Sequence, residues 1–244
     1  MKKKLLILFL FLSIFMVVGC KKKEEVKPKV ENEIRDLTDV EIEELMAKIE
    51  GLHYFDINPA KSFKTSELTN QEVLLWAFEQ KKSYDEIRFE DLEKLASKYL
   101  DYSLEPENIL CMTHFNILGP SDYSYLYIPA SKTFEKNKNH TAHKITGYYS
   151  WVIDSYRESK YENGNYIIKV SKLFSDTSNT GRIENYTKYD WFKSYNDAKN
   201  NTNPIVKNET AYKVKADNSK LNTYTYTFVL KNGNYVLKSY VIEQ

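Results

Sequence analysis

Cysteine and glycine are scarce in this chain, and each scarcity removes a class of answer. Two cysteines, Cys20 and Cys111, among 244 residues cannot cross-link a disulfide-stapled scaffold, so the fold must rest on its hydrophobic core. The seven glycines are not clustered, which leaves no phosphate-cradling loop. Charge of one sign is missing too. The 35 Lys and Arg offset 34 Asp and Glu to a formal net charge of +1, which gives no electrostatic footprint for a nucleic-acid partner.

Catalytic patterns are also absent. No Gly-x-Ser-x-Gly or Ser-x-x-Lys motif appears in its usual context, and no pair of carboxylates stands out from the acidic residues as a glycosidase pair. The histidines are His53, His114, His140 and His143. Only His140 and His143 approach metal-ligand spacing, and His140-Thr-Ala-His143 lacks the glutamate of the His-Glu-x-x-His zinc motif. The pair follows Asn137-Lys138-Asn139, so a solvated loop is expected there rather than a metal site. The sequence implies no cofactor and offers no catalytic constellation.

What is present begins at the N-terminus. Lys2, Lys3 and Lys4 precede an apolar run over residues 5–18, which closes on Gly19-Cys20. A basic flank, a short apolar core and a small residue before the cut describe a secretory signal peptide. The run is short for a membrane-spanning helix, which needs roughly 20 apolar residues. Val17-Val18-Gly19-Cys20 resembles the lipobox of bacterial lipoproteins. That resemblance implies a diacylglycerol on the Cys20 thiol and cleavage just before it. Acyl chains contribute roughly 0.8 kcal/mol per buried methylene, and two or more anchor a protein stably. The expected organisation is a signal peptide over 1–19, a lipidated disordered tether over 20–35 and one α+β domain over 36–244. The expected location is the cell membrane, lipid-anchored on its extracytoplasmic face. Removing the three leader lysines from the formal +1 leaves the mature chain near −2. With Cys20 committed to lipid, Cys111 has no intramolecular partner, and its neighbours Ile109, Leu110 and Met112 make it a buried, inert thiol.

Helices are predicted first. Thr38 and Glu41 form a capping-box pattern ahead of Ile42, Leu45, Met46 and Ile49, and Gly51 ends that run. A second helix is predicted over 69–80, capped by Thr69 or Asn70 and apolar almost all round between Val73 and Phe78. A third spans 89–100, with Phe89, Leu92, Leu95, Ala96 and Tyr99 at helical spacing. Beyond about residue 108 the period falls to two. Asn163-Gly164 and Asn232-Gly233 are hairpin turns, and a strict two-residue register places Ile153 opposite Phe174 and Tyr224 opposite Val241. Weaker strands are expected at 123–128, 183–191 and 211–215, with an Asn-rich loop over 196–208. Helices followed by turn-linked strands predict three N-terminal helices packed on one face of a curved antiparallel sheet. That layout is similar to cystatin-like and NTF2-like secreted domains, and to secreted inhibitors of bacterial cell-wall endopeptidases.

Aromatic residues supply the remaining signal. Tyr149 and Trp151 lie on one predicted strand, Tyr189 and Trp191 on another, and half of an alternating set faces away from the core. They are a candidate binding surface, and a thick aromatic-rich core covered by the helices is the other reading of the same residues. The functional expectation is a non-catalytic binding or inhibitory module at the cell envelope, held to the membrane by its N-terminal lipid and meeting a cell-wall polymer or envelope protein. An envelope hydrolase and a solute-binding lipoprotein are the alternatives. A concave pocket holding buried titratable groups would favour those alternatives over the aromatic surface.

Overall fold

The structure is a computed structural model and describes residues 33–57, 60–81, 87–110, 123–140, 151–175, 188–215 and 220–243. The signal peptide, Cys20, Cys111, His114, His143 and Tyr149 lie outside the described residues. Among the described residues, no helix is long and apolar enough to cross a membrane.

The fold is α+β, with five α-helices and a large curled antiparallel sheet among the described residues. The helices are α1 (Asp39–Glu50), α2 (His53–Ile57), α3 (Asn70–Gln80), α4 (Phe89–Leu100) and α5 (Tyr195–Asn200). The strands are β1 (Ile34–Arg35), β2 (Phe63–Lys64), β3 (Ile87–Arg88), β4 (Ile109–Leu110), β5 (Tyr123–Ile128), β6 (Thr133–Lys136), β7 (Val152–Glu162), β8 (Asn165–Ser175), β9 (Lys188–Phe192), β10 (Val206–Thr210), β11 (Thr223–Lys231) and β12 (Asn234–Glu243). The larger sheet has eight strands in the order β1-β7-β8-β11-β12-β2, with β9 attached to β8 and β10 to β9. A separate four-stranded sheet runs β3-β6-β5-β4.

Three helices begin or lie where caps and periodicity place them, but α2 and α5 were not foreseen, so three N-terminal helices is not the full count. Helix α5 and the start of β10 occupy the expected loop over 196–208. Residues 211–213 form a turn, not the expected strand. The folded part also starts earlier than residue 36. Ile34 and Arg35 pair with Glu162 and Tyr161 of β7, and Arg35 makes two bonds to Glu41, of 2.9 and 2.7 Å. That fork-to-carboxylate pairing, with the guanidinium 4.7 Å from the Tyr161 ring centre, fixes the chain entry. The Glu41 carboxyl is lowered to about 2, first by its bond to Arg35.

Helix α1 is capped by Thr38 and α3 by Thr69, each in a complete capping box. Thr69 is exposed and its hydroxyl accepts from the Glu72 amide at 3.3 Å, so its loss removes a cap without opening the core. Thr69→Ala is expected to cost about 1 kcal/mol, read as a shift in denaturation midpoint at unchanged slope. Helix α3 is the most buried: every side chain from Val73 to Phe78 is in the core. Trp76 stacks on Phe55 and donates its indole N–H to the Gly51 carbonyl at 2.8 Å.

Both predicted hairpins turn on residues with positive φ, Asn163 (51°) and Gly164 (82°), Asn232 (50°) and Gly233 (77°), as a two-residue primed turn requires. Their registers depart from the expected ones farther from the turn. In β7 Arg157 is an extra residue, so Val152 rather than Ile153 faces Phe174 and Asp154 faces Lys172. In β12 Lys238 is extra, so Ile242 rather than Val241 faces Tyr224 and Tyr240 faces Tyr226. A bulge adds one residue to one strand, and because side chains alternate, it exchanges the two faces beyond it. Val152, Asp154, Tyr240 and Ile242 are thereby turned to the helix-covered side.

Candidate functional site

The two register shifts converge on one place. Helix α2 contributes His53 and Asp56, three residues apart and so on one helical face. Strand β7 contributes Asp154, β8 Lys172, β11 Tyr224 and Tyr226, and β12 Tyr240. Lys172 alternates in phase with Ile168, Val170 and Phe174, all core residues, so its ammonium is carried into the interior with no exposed surface.

The polar groups there form an unbroken chain. His53 Nε2 lies 2.5 Å from Asp154 Oδ2. Lys172 Nζ donates to Asp154 Oδ1 at 2.7 Å and lies 2.9 Å from Asp56 Oδ2. The latter contact is an ion pair between two fully buried side chains. Asp56 Oδ1 accepts the phenol hydroxyls of Tyr240 at 2.6 Å and Tyr226 at 3.3 Å. The ammonium also sits 5.6 and 5.3 Å from the ring centres of Tyr224 and Tyr226, within cation–π range.

These contacts set the protonation states. Burial is the strongest influence on Asp154 and opposes its charge, but Lys172 and then His53 outweigh it and hold the carboxyl below the usual carboxylate range. An ionised carboxylate only accepts hydrogen bonds, so His53 Nε2 is the protonated nitrogen of that contact. Burial likewise opposes the Lys172 charge, and Asp56 with Asp154 reverses it, raising the ammonium above its ordinary value. Burial first, then the Asp56 charge, pushes the Tyr226 and Tyr240 phenols well above theirs.

A pH dependence follows. The lowered Asp154 contributes stability above the unfolded carboxylate value, about 3.9, and that contribution is lost as pH falls through the folded value. Raised Lys172, Tyr226 and Tyr240 contribute fully below their unfolded values, about 10.4 and 10, and lose it as pH rises through the folded ones. These groups by themselves keep urea midpoints level between about pH 5 and 9 and lower them on both sides.

A cavity of about 300 Å³ adjoins the cluster, with Asp56 in its wall beside Lys193, Asn196, Asp197, Asn222 and Tyr224. The volume is at the lower end of the roughly 300–1,000 Å³ of small-molecule sites. Asp56, Asn222 and Tyr224 are buried, while Lys193 and Asn196 are exposed. Tyr224 donates its hydroxyl to the Lys193 carbonyl at 3.2 Å.

Among the described residues, the candidate aromatic surface is not assembled. Trp191 and Tyr189 are buried, packed with Leu173, Val214 and Leu221 in a second core on the other face of the sheet. Trp191 donates to the Glu209 carbonyl at 2.8 Å. Trp151 is partly buried against the same cluster. Burial is the other reading of these aromatics, and the layer that buries them is a second one built with β9 and β10 rather than the core beneath the helices. His140 is placed after β6, where its amide donates to the Asn137 carbonyl at 3.1 Å. Among the described residues, no group of three or more His, Cys, Asp or Glu could hold a metal ion.

The sequence carried signals for the cluster that were not used. Lys172 is the lone charge in an apolar phase of its strand, and His53 and Asp56 have helical spacing. Compared with known proteins, the chain matches no family model, no curated protein and no solved structure.

Proposed function

We propose that this chain is a membrane-anchored lipoprotein of the extracytoplasmic face that acts as a non-catalytic binding module at the cell envelope. Its anchor is a lipid on Cys20, argued from the leader. Its recognition element is the cavity beside Asp56, which takes the place of the aromatic surface expected from sequence. The observation that carries the binding reading is the closed pairing of the buried groups. Asp154 is kept ionised and is no general acid at neutral pH, while Lys172 is kept protonated and is neither base nor nucleophile. Such groups make a rigid, preorganised wall. The helices ahead of a curled sheet support reading the fold as cystatin-like or NTF2-like in layout, with a pocket between sheet and helix.

Two experiments test this. Cys20→Ala is expected to abolish lipid labelling and leave a precursor uncut after Gly19, seen by N-terminal mass spectrometry; a mutant still cleaved there removes the lipobox reading. Purified full-length protein incubated with cell-envelope extract is expected to retain material that is recovered chemically unchanged. Turnover of wall material that disappears in Asp154→Asn would establish the hydrolase instead. A solute-binding role is the second reading, and a cavity of about 300 Å³ favours it over docking of a large polymer.

A further inference from the structure

We propose that Lys172 and Asp56 close into an intramolecular amide, a covalent bond between β8 and α2 that forms with loss of one water. This goes beyond the binding reading and does not depend on it.

The reactants already touch. Lys172 Nζ lies 2.9 Å from Asp56 Oδ2, and neither side chain has exposed surface. Holding two reacting groups in contact is worth an effective molarity of roughly 10⁵–10⁸ M, so a slow condensation becomes feasible within one chain. Burial sets its direction, since charges taken out of water are costly and an amide carries none. The protonated amine is inert toward an outside substrate but not toward Asp56. One proton crossing the 2.9 Å contact leaves a free amine against a carboxylic acid. A freshly folded chain holds the ion pair, and the bond accumulates with time.

The neighbours supply the rest of the reaction. Tyr240 and Tyr226 donate their hydroxyls to Asp56 Oδ1 at 2.6 and 3.3 Å, where negative charge gathers as Nζ bonds to Cγ. They act as an oxyanion hole, and burial, then the Asp56 charge, keeps both phenols protonated. Asp154 Oδ1, 2.7 Å from Nζ, takes one proton from the nitrogen once it is bonded to carbon. The electron pair on Oδ1 then restores the carbonyl and the Cγ–Oδ2 bond breaks. Oδ2 leaves as water, with the proton it took from Nζ and the one held by Asp154. Asp56 lies in the wall of the cavity, which receives that water. One cation and one anion disappear together, so the net charge of the cluster is unchanged, and the amide N–H keeps Asp154 as its acceptor. Asp56 rather than Asp154 is the partner because the two phenols polarise its carbonyl.

Peptide mass spectrometry tests the assignment. Full-length protein is purified, aged at neutral pH, denatured and digested with trypsin. Trypsin does not cut after an acylated lysine, so closure yields a branched peptide joining residues 49–61 to residues 170–182. This peptide, lighter by one water than its two parts, is expected to grow with ageing while linear 49–61 is lost. Asp154→Asn is expected to slow its growth about a hundred-fold. Tyr240→Phe, which keeps the ring and removes one donor to Oδ1, is expected to slow it about as much. Should Asp154→Asn not fold, Tyr240→Phe carries the kinetic test. Linear 49–61 at undiminished yield after ageing, with no branched peptide, overturns the proposal without need of a variant. A branch onto residues 145–157 would place the bond on Asp154 and overturn the assignment to Asp56. Closure at the wild-type rate in both variants would overturn the mechanism.

Discussion

Lys172→Met is expected to destabilise the protein by about 3–5 kcal/mol, the loss seen when one partner of a buried ion pair is removed. Methionine fills much of the volume, so the loss is electrostatic rather than a cavity effect. Asp56 and Asp154 would lose their shared cation while remaining buried, and the Tyr226 and Tyr240 hydroxyls could ease only Asp56. The double variant Lys172→Met/Asp154→Leu removes one of the stranded charges and is expected to recover roughly half of the loss. Urea denaturation at neutral pH measures both. A Lys172→Met midpoint equal to that of the wild type would show that the ammonium is not held between the carboxylates. The alkaline fall in stability should also begin to follow the tyrosines alone in this variant, since the lysine no longer titrates.

Deleting Arg157 is expected to be mild by contrast, about 1 kcal/mol, because the strand loses its surplus residue. Counted from the Asn163-Gly164 turn, the shortened strand meets β8 without a bulge, and Tyr156, Asp154 and Val152 keep Val170, Lys172 and Phe174 as partners. Arg157→Gly keeps the chain length and removes an exposed side chain with its bond to Ser171, so a similar cost is expected. A deletion as damaging as Lys172→Met, by denaturation midpoint, would show that the bulge itself holds Asp154 in place.

These bulges also mark where the sequence stopped being informative. Capping boxes at Thr38 and Thr69 announced α1 and α3 because the motif is local and chemical. The Asn-Gly turns were equally plain. An extra residue at 157 or 238 is not, since apolar alternation reads normally on either side of it and only the phase between the halves changes. Its effect shows in pairing partners distant in the chain. Helix α2 was hidden for a different reason: it is five residues long and begins directly after the Gly51 that ends α1. Asp56 within it is buried because strands nearly two hundred residues away bring Tyr226 and Tyr240 to it. Trp191 was ambiguous for a related reason. Its strand alternates as an exposed face would, and only the addition of β10 across it makes that face an interior.

The entry of the chain at β1 has a mechanical consequence. Any pull on the residues before Glu33 reaches the domain through Ile34 and Arg35, two residues paired with the far end of β7. So short a strand yields by peeling, one pair after another, and resists little by itself. Arg35 is gripped sideways, however, by Glu41 at the start of α1 and by the Tyr161 ring. Tension that breaks the two strand pairs therefore meets this grip before it can load the sheet. The entry of the chain into the domain is thus a sacrificial link, which opens before the sheet is loaded.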